Sequence, residues 1–274
     1  MKLSIITINY NNAEGLKRTL ASVAAQTYRD IEHIVIDGGS TDGSVDVIKE
    51  YVNQCLMYDV LWVSEKDSGI YNAMNKGIRK ATGEYVQILN SGDILASDDV
   101  TECMVAALEA NANPEFLYGN MVRKNYATGK LDGKSKEVEY SLRQYYSSTM
   151  NHDCCYIHRS VYEMYGLYDE NLKIVSDWKW FLQVIGLGSI KPVYADIDVT
   201  IFDCSGISES NLELRNKERR QVLEEVLPPA VLSDYDKHAF ETQQIDRLRK
   251  HHLYGLVYFM ERILFKLEKW KILK

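Results

Sequence analysis

The chain has 274 residues, 46% apolar and 26% charged, which suits one large domain or a domain with an appendage and excludes global disorder. Its net charge of −7 argues against a nucleic-acid binder, which is normally basic.

The first hundred residues alternate between two periodicities. Leu3 to Ile8 reads as a buried strand, and Asn11 or Asn12 caps a helix with Leu16, Leu20, Val23 and Ala24 at helical spacing. Ile34 to Ile36 is a second strand ending at Asp37-Gly38-Gly39, and Val45, Ile48, Tyr51 and Val52 mark a second helix. Val60 to Val63 is a third strand, followed by a helical face of Ile70, Ala73, Met74, Gly77 and Ile78. Tyr85 to Leu89 is a fourth strand, and a helix from about Asp98 to Glu109 follows. Such alternation predicts a parallel sheet with helices on both faces, whose ligands bind at the carboxyl ends of the strands. The segment 116–146 is irregular and polar. A helix is expected to start at Ser176, capped by its hydroxyl, and to run through Ile185; Val193 to Phe202 reads as a last strand. Beyond Gly206 the pattern is helical and charged, with a break at Pro228-Pro229.

Five cysteines, at 55, 103, 154, 155 and 204, show no disulfide spacing and point to a reducing, cytoplasmic compartment. The N-terminus lacks the apolar core and cleavage site of an export signal. No run approaches the ~18 apolar residues of a membrane span. The vicinal pair Cys154-Cys155, between His152 and His158, fits no zinc spacing and reads as buried apolar thiols.

Polar clusters close the first four strands: Asn9-Tyr10-Asn11, Asp37 to Ser44, Glu65 to Gly69, and Asn90-Ser91-Gly92-Asp93. In a parallel sheet they converge on one rim. The Gly38-to-Gly43 stretch lacks the lysine of a P-loop and the dinucleotide fingerprint. These clusters, with Ser22-Val23-Ala24-Ala25-Gln26-Thr27-Tyr28 and Asp67-Ser68-Gly69-Ile70-Tyr71-Asn72-Ala73-Met74-Asn75-Lys76-Gly77, resemble glycosyltransferase family 2 in motif order. Asn151-His152-Asp153, Ser176-Asp177-Trp178 and Phe202 to Ser208 extend the likeness to about residue 210.

The resemblance implies a GT-A-like, Rossmann-type α/β fold over residues 1–205, with a mostly parallel sheet, and a helical C-terminal extension over 206–274. It implies an inverting transfer of a sugar from a nucleotide-diphosphate donor, in particular a UDP-sugar, to a hydroxyl of a glycan or lipid-linked acceptor. Asp37 is expected to accept the ring N–H of a uracil-like base, with Asn9 and Asp67 lining the same pocket and Ser91 in the donor-binding set. Asp177 matches the catalytic base, and His152 is expected beside the diphosphate or acceptor. Lys66, Arg215 and the loop 205–208 are placed to close over the diphosphate. Asn90-Ser91-Gly92-Asp93 aligns with an acidic motif usually written Asp-Ser-Asp-Asp. Only Asp93 of its acids remains to hold Mn²⁺ or Mg²⁺ together with the donor phosphates. The competing readings are a nucleotidyltransferase, which would carry a basic glycine-rich loop after the first strand, and an inactive nucleotide-sugar-binding module.

Residues 246–274 carry eight basic side chains against three acidic, net +5, interleaved with Val257, Phe259, Ile263, Phe265 and Trp270. A basic, aromatic helix of this kind suits an anionic membrane surface, here on its cytoplasmic side. The other partner for that face is protein, either the catalytic domain or a sister subunit in a homodimer.

Overall fold

The computed structural model describes every residue except 56, 126–128, 204–210, 251–253 and 273–274. It divides into two compact units, Met1–Val222 and Leu223–Lys274.

The first unit opens with β1 (Leu3–Asn9), α1 (Ala13–Ala24), β2 (Ile31–Asp37), α2 (Ser44–Gln54), β3 (Asp59–Ser64), α3 (Ile70–Lys80) and β4 (Tyr85–Asn90). Asn12 caps α1 by accepting the Gly15 N–H. β1 and β2 are buried along their whole length and β4 nearly so, as a sheet covered on both faces requires. Leu16 and Leu20 of α1 pack with Ile48 and Tyr51 of α2 on Val35, so these helices share one face. α3 lies on the other, with Gly77 against Ile6, whose side chain alternates with that of Thr7, the cross-strand partner of Val35.

Next come β5 (Ile94–Leu95), α4 (Val100–Ala110), β6 (Phe116–Asn125), β7 (Lys130–Lys134), α5 (Leu142–Ser147) and a 3₁₀ turn (His152–Cys154). β8 (Cys155–His158), α6 (Arg159–Tyr165), α7 (Ser176–Phe181), β9 (Val193–Asp203) and α8 (Leu212–Val226) follow. The sheet order is β3-β2-β1-β4-β8-β6-β9-β5, with β7 on β6. β3, β2, β1 and β4 are parallel, and β8 enters antiparallel between β4 and β6. The chain moves outward from β1 to β2 and β3, then returns to β4 on the other side of β1. That reversal is the switch point where doubly wound sheets bind ligands.

The stretch 116–146, expected to be irregular, holds two strands and a helix. Ser176 is not the cap of α7. Val175 occupies that position, Ser176 is the first helical residue, and its buried hydroxyl has no partner. The helix passes into a π-helical turn at Leu182–Gly186. In the second unit, Pro229 opens α9 (Pro229–Lys250), where a missing N–H costs nothing, and α10 (Tyr254–Ile272) follows.

Candidate active site

The carboxyl ends of β1, β2 and β4 stand in register, Asn9 beside Asp37 and Ile8 beside Asn90. Asp37 is fully buried. One carboxylate oxygen accepts Asn9 Nδ2 at 2.7 Å and the Ser40 hydroxyl at 2.5 Å. The other accepts the Ser64 hydroxyl at 2.7 Å and the N–H groups of Ser40 and Gly39 at 3.0 and 3.2 Å. Burial alone would raise its pKa, but these donors outweigh burial and lower it. A carboxylate offers about four lone-pair directions, so Asp37 is saturated by its own chain. Asp67 differs. Its Oδ1 accepts the Gly69 N–H at 3.1 Å, and its Oδ2 lies 2.5 Å from where a Cβ on Gly38 would stand. Burial raises its pKa against the pull of the Gly69 N–H and Lys76, and the charge of Asp37 adds to the rise. Tyr10, 65% exposed, flanks the same face of Gly38. Tyr10 was overlooked in the sequence, although an aromatic within the first polar cluster was a usable signal.

At the β4 end, the turn 90–93 is shaped by α1. Thr19 Oγ1 accepts the Gly92 N–H at 2.9 Å and donates to the Asp93 carbonyl at 2.7 Å. Gly92 has φ of +114°, which disfavours any side chain there. Ser91 is bound through its backbone, its N–H to the Ile8 carbonyl and its carbonyl to Asn12 Nδ2. Asn90 Nδ2 reaches Asp93 Oδ2 at 3.2 Å and lies 3.3 Å from His152 Nε2. His152 Nδ1 stands 3.5 Å from Asp177 Oδ2, and the Tyr71 hydroxyl donates to Asp177 Oδ1 at 2.9 Å. Four chain segments thus meet in one line: Asp93, Asn90, His152, Asp177 and Tyr71. Burial opposes both charges of the His152–Asp177 pair. Even so, the hydrogen bond and charge of Asp177 raise the His152 pKa, and His152 and Tyr71 lower that of Asp177. With His152 protonated the two form an ion pair, whose stabilisation is greatest between about pH 4 and 6.5, where both partners would also be charged in the unfolded chain.

Asp177 lies in the first turn of α7, where free N–H groups favour an ionised carboxylate. Arg215 lies half-buried on α8, four residues before Arg219. Arg219, missed in the sequence, sits over the Trp178 ring at 4.7 Å and donates to the Ser147 carbonyl at 3.3 Å. Burial and the charge of Arg215 lower its pKa, while the charge of Asp177 opposes them. The Cys154 and Cys155 thiols are buried and free, and both donate to the Asn151 carbonyl. The loop 205–208 lies outside the described residues. Among the described residues no three His, Cys, Asp or Glu side chains gather as a metal cage. Asp93 fits a hard cation only as a single carboxylate ligand completed by water and phosphate oxygens.

The Glycosyl transferase family 2 profile matches residues 4–176. An uncharacterized glycosyltransferase of Mycobacterium tuberculosis is 34% identical over 208 residues, 75% of this chain and 76% of the relative. A PGL/p-HBAD biosynthesis glycosyltransferase of Mycobacterium bovis is 24% identical over 200 residues, 73% of this chain and 76% of that one. Among solved structures, S. aureus TarS 1–349 with UDP-GlcNAc superposes with a TM-score of 0.67 at 20% identity, covering 86% of this chain and 70% of TarS. The mannosyltransferase PcManGT of Pyrobaculum calidifontis, with GDP-Man and Mn²⁺, gives 0.62 at 18%, covering 87% and 69%. The two structural likenesses identify the fold as GT-A. With its profile and its mycobacterial relative matched over most of its length, the chain belongs to glycosyl transferase family 2.

Proposed function

We propose that this transferase moves a sugar from a UDP-sugar to a hydroxyl of a glycan or lipid-linked acceptor, in one in-line displacement with inversion at the anomeric carbon. The observation that carries the reading is the placement of Asp177: held by Tyr71 and His152, and joined to Asp93 through His152 and Asn90 at the switch point of the sheet. The acceptor proton passes to Asp177 late, as the new carbon–oxygen bond forms and the bond to the β-phosphate oxygen breaks. The leaving electron pair departs with the diphosphate. His152, as imidazolium, and Arg215 would balance that charge.

Mn²⁺ or Mg²⁺ on Asp93 would neutralise the same leaving group. In the nucleoside pocket Asp37 and Asn9 form an internally bonded floor. Asp67 then takes the base N–H while Tyr10 stacks on the ring, and Ser91 closes the diphosphate side. No described helix is long and apolar enough to cross a membrane. The basic helix α10 would hold the enzyme on the anionic cytoplasmic face of one, beside a lipid-linked acceptor.

Asp177→Asn tests the central assignment. The variant is expected to bind UDP as the wild type does and to lose turnover by ~10²–10⁴-fold, the usual share of a general base. UDP release from UDP-GlcNAc, UDP-glucose and UDP-galactose measures the turnover and UDP calorimetry the binding. Near-normal turnover would sink the assignment. Absence of turnover by the wild type on every donor and acceptor class would favour an inactive binding module.

A further inference from the structure

The motif from Ile70 to Gly77 forms most of α3. Three of its side chains grip the segment that leads to Asp177. The Asn75 amide bonds both backbone groups of Tyr168, accepting its N–H at 3.0 Å and donating to its carbonyl at 2.9 Å. Asn72 and Asn75 donate to opposite oxygens of Glu170 at 2.7 and 2.8 Å. Tyr71 sits 5.9 Å from Tyr168, ring to ring, and is 4% exposed, yet its hydroxyl reaches past that segment to Asp177 Oδ1.

We propose that Tyr71 is the positioning residue of the base: its hydroxyl, together with His152 on the opposite oxygen, fixes the plane of the Asp177 carboxylate. This rests on Asp177 being the base. The Tyr71 hydroxyl on one oxygen and the His152 ring on the other oppose rotation about the Cβ–Cγ bond, and each favours the charged form. The remaining groups around Asp177 do not substitute for Tyr71. Tyr168 in the preceding loop and Cys155 on β8 are raised above their ordinary pKa values, mainly by burial and partly by the charge of Asp177, and so stay neutral. Arg219 on α8 acts on Asp177 through its charge and donates to a backbone carbonyl instead. Asp153 and Asp93 act on His152.

Removing a donor to the ionised form raises the carboxyl pKa, so Asp177 protonates at higher pH and the acid limb of turnover moves up. In the full chain with ¹³C-labelled aspartate, the carboxyl resonance missing from Asp177→Asn reports this group. Tyr71→Phe keeps the ring and removes only the hydroxyl. It is expected to move the midpoint up by about one pH unit and to lower kcat for UDP release from UDP-GlcNAc about tenfold, with donor KM unchanged. Asn72→Ala, which loosens the Glu170 tie without touching Asp177, leaves the midpoint in place. 3,5-Difluorotyrosine at position 71, a stronger donor, moves it down and serves if Tyr71→Phe fails to fold. A wild-type midpoint in both Tyr71 variants, or an equal upward shift in Asn72→Ala, overturns the proposal. Full turnover by Asp177→Asn overturns the base assignment instead, and leaves the NMR comparison to judge the hydrogen bond alone.

Discussion

Asp93 owes its place to its neighbours. Gly92 takes a backbone that other residues resist, Thr19 clasps the turn through two bonds, and Asn90 holds the Asp93 carboxylate. Asp93→Ala leaves the Thr19 bonds intact, because both go to backbone. If Asp93 carries the cation, Mn²⁺ tightens UDP binding to the wild type by about tenfold or more, and this enhancement disappears in Asp93→Ala while metal-free binding persists. Calorimetry with and without Mn²⁺ decides it; an undiminished metal effect in the variant places the ion elsewhere. Asp37 teaches the complementary lesson. Its position at the end of β2 was legible, but its saturation by Ser40 and Ser64 was not, because the Ser64 hydroxyl arrives from another strand 27 residues away.

α3 joins sheet to site. Gly77 brings the helix down on Ile6 so closely that a Cβ there would strike the Ile6 methyl. Gly77→Ala is therefore expected to lift α3 from β1 and to cost about 1–3 kcal/mol, the usual range for overpacking. Urea unfolding measures the loss, and an unchanged midpoint would mean that the helix has room. The lifted helix carries Tyr71 and Asn75 with it, so turnover falls beyond the loss of folded protein. The elements β1 to β4 were legible because each is an apolar run bounded by Asn, Asp or Gly, and Asn12 marked the start of α1. β8 was not: four residues, Cys155 to His158, carry no period and are strand only because β4 and β6 flank them. Ser176 looked like a cap because local rules cannot see Val175 taking that place. Asp177 and Tyr71 are 106 residues apart, and only the assembled fold makes them neighbours.

At the scale of the molecule, charge is unevenly divided. The tail 246–274 holds +5, which leaves −12 on the rest of the chain. On α10, Phe259, Ile263, Leu264 and Phe265 are exposed, from 43% to 69%. Each basic residue near an anionic bilayer contributes ~1 kcal/mol, screened by salt. The full chain should therefore sediment with anionic liposomes at low salt and release at high salt. A full-length variant with Lys266, Lys269 and Lys271 all changed to Glu should stay in solution. Equal pelleting of both would remove the tail as anchor, and a dimer abolished by the same changes, without pelleting, would assign the face to a sister subunit. The acidic remainder gives the turn at Asn90 and Gly92 a further meaning. A nucleotide-sugar is itself an anion, and it must enter a molecule that repels it. Where the family pattern places acids, this chain has an amide and a glycine. A carboxylate ~6 Å from a phosphate, at an effective dielectric of ~20, repels it by about 3 kcal/mol. Without those two charges the turn repels the incoming donor less than a fully acidic motif would.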